Sequence, residues 1–207
     1  MEKLDLTKKY KTYFTAKTKP EMVIIEGAKF LSIAGKGDPS DKLFSENIQA
    51  LYSLAYALKF AYKAIAKDFT VSKLEGLWWF DEEKFGNTAM VDASNKVPRE
   101  EWEYKLLIRM PDFVTQQKVD TIIKSVAGKK GLSMAGKVSF FEMHEGKSVQ
   151  ILHVGPFSTE WESLKMIQLF MKDHRLTKNG FHHEIYLSDF NKTDPSKLKT
   201  ILREPVK

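Results

Sequence analysis

The order strand, glycine turn, helix, acid-bearing aromatic strand occurs twice in this chain, and a duplicated order limits the fold more than any single motif does. The first copy runs through Phe30 to Gly37, a helix, and Leu74-Glu75-Gly76-Leu77-Trp78-Trp79. The second runs through Ile151 to Gly155, a helix, and His183-Glu184-Ile185-Tyr186-Leu187-Ser188. The separation between glycine turn and acid differs between the copies, so the repeat rests on element order and spacing alone. Two such α+β modules predict mostly antiparallel sheets side by side, helices on one face, and a cleft at the pseudo-twofold seam. We expect a polar lead-in over residues 1–20 and one domain over 21–207, with pseudo-repeats covering about 21–130 and 131–207.

Local pattern assigns the elements. Met22 to Ile25 and Phe30 to Ala34 read as strands, and Gly35-Lys36-Gly37-Asp38-Pro39 breaks the second. Phe44 to Phe69 reads as a helix from apolar residues at three-and-four spacing, capped by Asp41 or Ser45, with Tyr52, Tyr56 and Tyr62 on its flanks. Leu74 to Phe80 is an aromatic strand, Asp81 to Pro98 a polar connection, and Trp102 to Met110 a strand whose Trp102, Tyr104, Leu106 and Ile108 share one face. Val114 to Val126 reads as an amphipathic helix, followed by a flexible, basic stretch from Gly128 to Gly136. Val138 to Met143 and Val149 to Val154 predict a hairpin around Glu145-Gly146-Lys147, and Trp161 to Met171 a third main helix. Asp194-Pro195-Ser196 opens an expected short C-terminal helix ending near Arg203.

The stretch Gly180 to Phe190 carries the candidate chemistry. Strand alternation puts Glu184, Tyr186 and Ser188 on one face and His183, Ile185 and Leu187 on the other. An uncompensated carboxylate is costly to bury, so the Glu184 face is expected to open onto a wet cavity or a ligand, with the other face in an apolar core. Glu184 and Tyr186 are therefore the candidate catalytic pair. Trp78, Trp79 and Trp102 are candidates to wall the cleft, with Tyr56 and Tyr104 beside them, His153 and Phe157 at its edge, and Glu75 as a counterpart of Glu184. His182, His183 and Glu184 are adjacent on one strand and point alternately to opposite faces, so no metal site is expected. The Gly35 turn lacks the phosphate-cradling spacing and reads as a tight turn.

Composition excludes several classes. The chain has no cysteine, hence no disulfide framework or thiolate chemistry, in keeping with a reducing cytoplasm. No apolar run approaches the roughly 20 residues that span a bilayer. The formal charge of +6 is spread among interleaved acids, which reads as solvated faces rather than a nucleic-acid site. We expect no cofactor, no membrane partner and no specific nucleic acid, and nothing in the sequence identifies a protein partner.

Six successive segments, FLSIAGKGDPSD, LYSLAYALKF, LEGLWWF, LLIRMPDFVT, VQILHVGPF and HHEIYLSD, span almost the whole chain. Together they resemble the blocks of the GyrI-like small-molecule-binding family in its standalone branch. The resemblance implies a duplicated strand-helix-strand-strand fold around an aromatic cleft. Related multidrug-responsive regulators receive hydrophobic, often cationic ligands at a buried glutamate, the position that Glu184 matches. This chain has no room before Met22 for a DNA-binding domain, so we expect no direct transcriptional control. Part of the family hydrolyses the cyclopropane ring of DNA-alkylating cyclopropanoid toxins, which makes a cyclopropanoid hydrolase the leading expectation. A multidrug-sequestering module, or an inhibitor of a topoisomerase, is the alternative that the resemblance implies. Any retention on DNA is predicted to vanish as salt is raised, because only dispersed lysine charge drives it. Sequence-selective binding at high salt, measured by titration of labelled duplexes, would contradict that reading.

Overall fold

The computed structural model describes residues 3–86, 88–127 and 132–207, so Gly128 to Gly131 of the expected basic stretch lie outside the described residues. Six α-helices are described: α1 (Leu6–Lys9), α2 (Lys42–Lys63), α3 (Glu82–Phe85), α4 (Met90–Lys96), α5 (Gln116–Ala127) and α6 (Glu160–Asp173). The strands are β1 (Glu21–Ile25), β2 (Ala28–Lys36), β3 (Leu74–Trp79), β4 (Glu103–Met110), β5 (Ser139–Met143), β6 (Gly146–Val154), β7 (His182–Tyr186) and β8 (Lys199–Pro205). They form one antiparallel sheet in the order β1-β6-β8-β7-β3-β4-β2-β5. The two copies read from the sequence meet where β3 pairs with β7. No described helix is long and apolar enough to cross a membrane.

The alternation of β4 sorts the two faces of this sheet. Tyr104, Leu106 and Ile108 join Leu31, Ile33 and the α2 residues Leu51, Leu54, Ala55 and Leu58 in one core. Leu107 joins Phe30, Leu77, Ile185 and Ile201 in a second core on the opposite face. α2 packs over β2 and β4, and α6 over β6 and β8, so both long helices cover the first face.

Four assignments made from local pattern change. α2 ends at Lys63, and Ala66 takes a positive φ of 63° in the turn that follows, which releases Phe69 to pack beside Tyr62 and Phe113. Asp41 does stand at its N-cap, but its side chain makes no capping bond. The polar connection after β3 contains α3 and α4. The expected hairpin does not form: β5 pairs with β2, and β6 with β1 and β8. The expected C-terminal helix is a short 3₁₀ turn at Pro195–Lys197 followed by β8, a central strand whose charged Arg203 and Glu204 mask its period-two pattern.

The exchange of β1 and β5 curls the sheet. β1 and β2 are joined by Glu26-Gly27 alone, and β5 and β6 by His144-Glu145, yet each pair stands at opposite ends of the strand order. Three peptide steps reach about 11 Å at most. The two ends of the sheet therefore lie side by side, and the second face turns inward. The lead-in fills that interior: Leu6, Tyr13 and Phe14 are buried against Phe30, Leu77 and Ile185.

Expected as purely apolar, this interior also holds a charged network. His183 donates from Nδ1 to Glu145 Oε1 at 2.9 Å and from Nε2 to Glu75 Oε2 at 3.0 Å. Arg203 donates to Glu145 Oε2 at 3.2 Å, to Gln150 Oε1, and to the Tyr13 carbonyl at 2.8 Å. The Tyr13 hydroxyl donates to Glu75, and its ring lies 4.3 Å and 4.6 Å from the guanidiniums of Arg109 and Arg203. Both acceptors of His183 are carboxylates, which accept only, so both ring nitrogens carry protons.

Burial disfavours charge on Glu145 and on His183, and in each case the partners outweigh it. His183 and Arg203 hold the Glu145 carboxyl at about 2, while Glu145 and Glu75 raise His183 above its ordinary range. A lowered carboxyl stabilises the fold above its unfolded value of 4.5, and a raised imidazole stabilises it below 6.5. The urea midpoint is therefore predicted to peak between those pH values, falling on the acid side as Glu145 is protonated and on the alkaline side as His183 is neutralised. His183→Gln should shallow the alkaline fall. A midpoint unchanged from pH 2 to pH 9 would remove these groups as determinants of stability.

Candidate functional site

On the helix-covered face, over the β3–β7 seam, lies a cavity of about 400 Å³. That volume lies within the range of small-molecule sites. β7 supplies His182, Glu184 and Tyr186, which alternation places on one face. β3 supplies Leu74 and Trp78, while Phe44 of α2 and Trp102, before β4, complete the first half's wall. The second half contributes Phe157 and the α6 residues Glu160, Trp161 and Leu164. Met90 and Val91 of α4 close over it, and Arg99 stands at the same cavity.

Glu184 is the terminal acceptor of a directed hydrogen-bond chain. Trp78 Nε1 donates to the Tyr186 hydroxyl at 3.0 Å, and that hydroxyl donates to Glu184 Oε2 at 2.7 Å. Burial and the adjacent Glu184 push the Tyr186 phenol well above its ordinary range, so it stays a donor. Across the strand pairing, Gly76 stands opposite Glu184. A Cβ there would lie 2.8 Å from Trp78 Nε1 and 3.1 Å from the Tyr186 hydroxyl, so only glycine leaves room for the chain.

The cavity holds a second carboxyl. Glu160, in the first turn of α6, is 8% exposed, and its Oε1 has no hydrogen-bond partner among the described residues. Burial and the nearby Glu184 raise it well above the usual carboxylate range, against an opposing pull from His182. One cavity thus contains an acid held in its protonated form and, beside it, a second carboxyl that accepts from the Tyr186 hydroxyl. That pairing suits general acid and general base work on a single ligand.

Of the residues singled out in the sequence, Glu184, Tyr186, Trp78, Trp102 and Phe157 line this cavity. Trp102 donates from Nε1 to the Val97 carbonyl at 3.1 Å and meets Trp78 edge to face at 5.9 Å. Tyr104 lies beneath the wall, buried against Phe44 and Trp78 and bonded to Asn47. Trp79 points to the opposite face and packs on Phe181 at 4.5 Å. Glu75 shares that opposite face, because its register partner is Ile185 and not Glu184. Tyr56 is exposed on α2. His153 is buried and satisfied by Ser163 at 3.0 Å and the Pro156 carbonyl at 3.2 Å.

Sequence reasoning missed Glu160, Trp161, Phe44 and His182 as site residues. Glu160 reads locally as an ordinary first-turn acid, and only its neighbour Trp161 hints at an apolar setting. His182 is the residue two before Glu184, so alternation alone placed it on the same face. Among the described residues no group of three or more His, Cys, Asp or Glu side chains has a geometry that would hold a metal ion.

Gly76→Ala is predicted to break the Trp78–Tyr186–Glu184 chain and to cost about 1–3 kcal/mol in stability, the range for a strained or unsatisfied buried group. The crystal structure of the variant should show Trp78 or Tyr186 displaced. An unmoved chain with unchanged stability would show that the close approach is not required.

Known proteins add to this geometry. The model of the GyrI-like small molecule binding domain matches residues 18–207. Among curated proteins none matches the sequence. An uncharacterised conserved protein from Listeria innocua is 34% identical with a TM-score of 0.87, over 99% of this chain and 100% of its own. A protein of the same organism described as a hydrolase is 33% identical with a TM-score of 0.85, over 100% of both chains. The C-terminal domain of EcmrR shares the fold alone, at 13% identity and a TM-score of 0.54 over 91% of this chain and 97% of that one. With a family model covering nearly its whole length and a fold to match, this chain belongs to the GyrI-like small-molecule-binding domain family.

Proposed function

We propose that the protein binds flat, hydrophobic small molecules in the aromatic cavity and hydrolyses the cyclopropane ring of DNA-alkylating cyclopropanoid compounds. The observation that carries this reading is the pair of carboxyls, Glu160 kept protonated by burial and Glu184 accepting from the Tyr186 hydroxyl, inside one aromatic-walled cavity. Trp78, Trp102 and Trp161 offer ring faces and edges to a planar ligand. Glu184 takes a proton from water as its oxygen attacks a ring carbon. The ring C–C bond breaks, and its electron pair moves into the conjugated carbonyl, whose oxygen is protonated by Glu160. One water is added, and return of the proton from Glu184 to Glu160 restores both groups. Ring strain favours opening, so orientation of the two reactants supplies a large share of the rate. The hydrolase from Listeria innocua, similar along its whole length, supports the reaction class.

The family description, a small-molecule binding domain, favours one other reading, a module that sequesters ligands without chemistry. Incubation of the protein with a cyclopropanoid alkylator, followed by mass spectrometry, distinguishes them. A product heavier by one water is expected. Glu184→Gln should lower turnover by about 100-fold or more while leaving affinity for a neutral aromatic ligand intact. Because burial and Glu184 keep Glu160 protonated beyond the normal carboxyl range, the alkaline fall in rate should begin only above that raised value, and Glu160→Gln should slow the reaction and abolish this limb. Tight binding with no water-adduct product would establish sequestration instead.

A further inference from the structure

Behind Glu184 stands a residue pair with no part in the reaction as written above. His182 and Glu184 are two apart on β7, so both project from the cavity-side face. Extending the β7–β8 register of His183 with Arg203 by one step brings Glu204 opposite His182. The contacts follow: His182 Nδ1 donates to Glu204 Oε1 at 2.7 Å, and its Nε2 lies 3.3 Å from Glu184 Oε1 as an ion-pair contact without hydrogen-bond alignment. Glu184 is then held from both sides, its Oε2 by Tyr186 and its Oε1 by the imidazole. His182 is 1% exposed and Glu204 7%. A second cavity of about 580 Å³, between α4 and α6, borders Glu204 and contains Lys172 and Lys178.

We propose that Glu204 and His182 form a positioning dyad for Glu184: Glu204 fixes the ring at Nδ1, and the ring presents its positive charge to Glu184, holding that carboxyl turned into the cavity. The charged and titratable groups that face His182 are Glu184 and Tyr186 on its own strand, Glu204 on β8 and Glu160 on α6. β3 pairs alongside with Trp78, which carries no charge. Burial works against a charged ring, but Glu204 and Glu184 raise His182 to about 10, in line with the geometry.

The catalytic part of this inference rests on the hydrolytic reading, so its test has an arm that does not. Histidine-selective ¹⁵N NMR of the unmodified protein should show His182 remaining an imidazolium through pH 8, and Glu204→Gln should move its titration to lower pH. In the Glu204→Gln enzyme, whose amide oxygen still accepts from Nδ1, the acid limb of the pH profile should move up by about one unit, so that kcat at pH values below that limb falls about tenfold with KM unchanged, as expected for one lost interaction of that size. His182 titrating near 6.5 in the unmodified protein would overturn the dyad. So would a Glu204→Gln pH profile superimposable on that of the parent while Glu184→Gln is inactive. If Glu184→Gln retains turnover, the hydrolytic reading fails, and the histidine spectra alone decide whether the pair holds its charge.

Discussion

The pairing of β3 with β7 runs from Glu75 with Ile185 to Trp78 with His182, and it divides the chemistry of the molecule between two faces. Residues directly opposite one another share a face. Gly76, Trp78, His182 and Glu184 therefore look toward the helices, and Glu75 and His183 look into the curled interior. Slipping this register by one residue would exchange the faces and place Glu184 inside the closed core. The site depends on this pairing more than on any single bond within it.

What holds the register is distributed across the interior. Glu75 on β3 and His183 on β7 are hydrogen-bonded to each other, and Glu145 and Arg203 extend the network to the β5–β6 connection and to β8. Tyr13 ties the lead-in to the same carboxylate. Removing one partner from a buried ionic network leaves an uncompensated charge, which costs several kcal/mol, whereas the intact network adds less than that to stability. A slipped sheet would separate these partners, so the network selects one register even where its net contribution is small.

Much of this architecture was legible. The duplicated element order anticipated the seam, and the alternation of β4 sorted Tyr104, Leu106 and Ile108 from Leu107. The acid-phenol pair Glu184–Tyr186 was visible because alternation over two residues is local. Less legible was β8, since Lys199 to Pro205 carries Arg203 and Glu204 within a central strand. Their partners Glu145, Gln150 and His182 lie far away in sequence, so hydrophobic period could not explain why those charges are buried.

From the sequence alone came the α+β class, the order of the elements up to β7 apart from α1, α3 and α4, and an acid inside an aromatic strand. These follow from periodicity, turn residues and desolvation cost, which act over a few residues. Tertiary structure decided which tryptophan faces the ligand: adjacent Trp78 and Trp79 must point apart, but only the register across the seam says which way. It also decided that β1 and β5 exchange halves, because the choice between a local hairpin and a distant edge is set by which pairing buries more of the interior. Glu160 and His182 joined the site for the same reason. A carboxyl becomes an acid, or an imidazole a fixed cation, only when folding removes water and sets a particular neighbour against it.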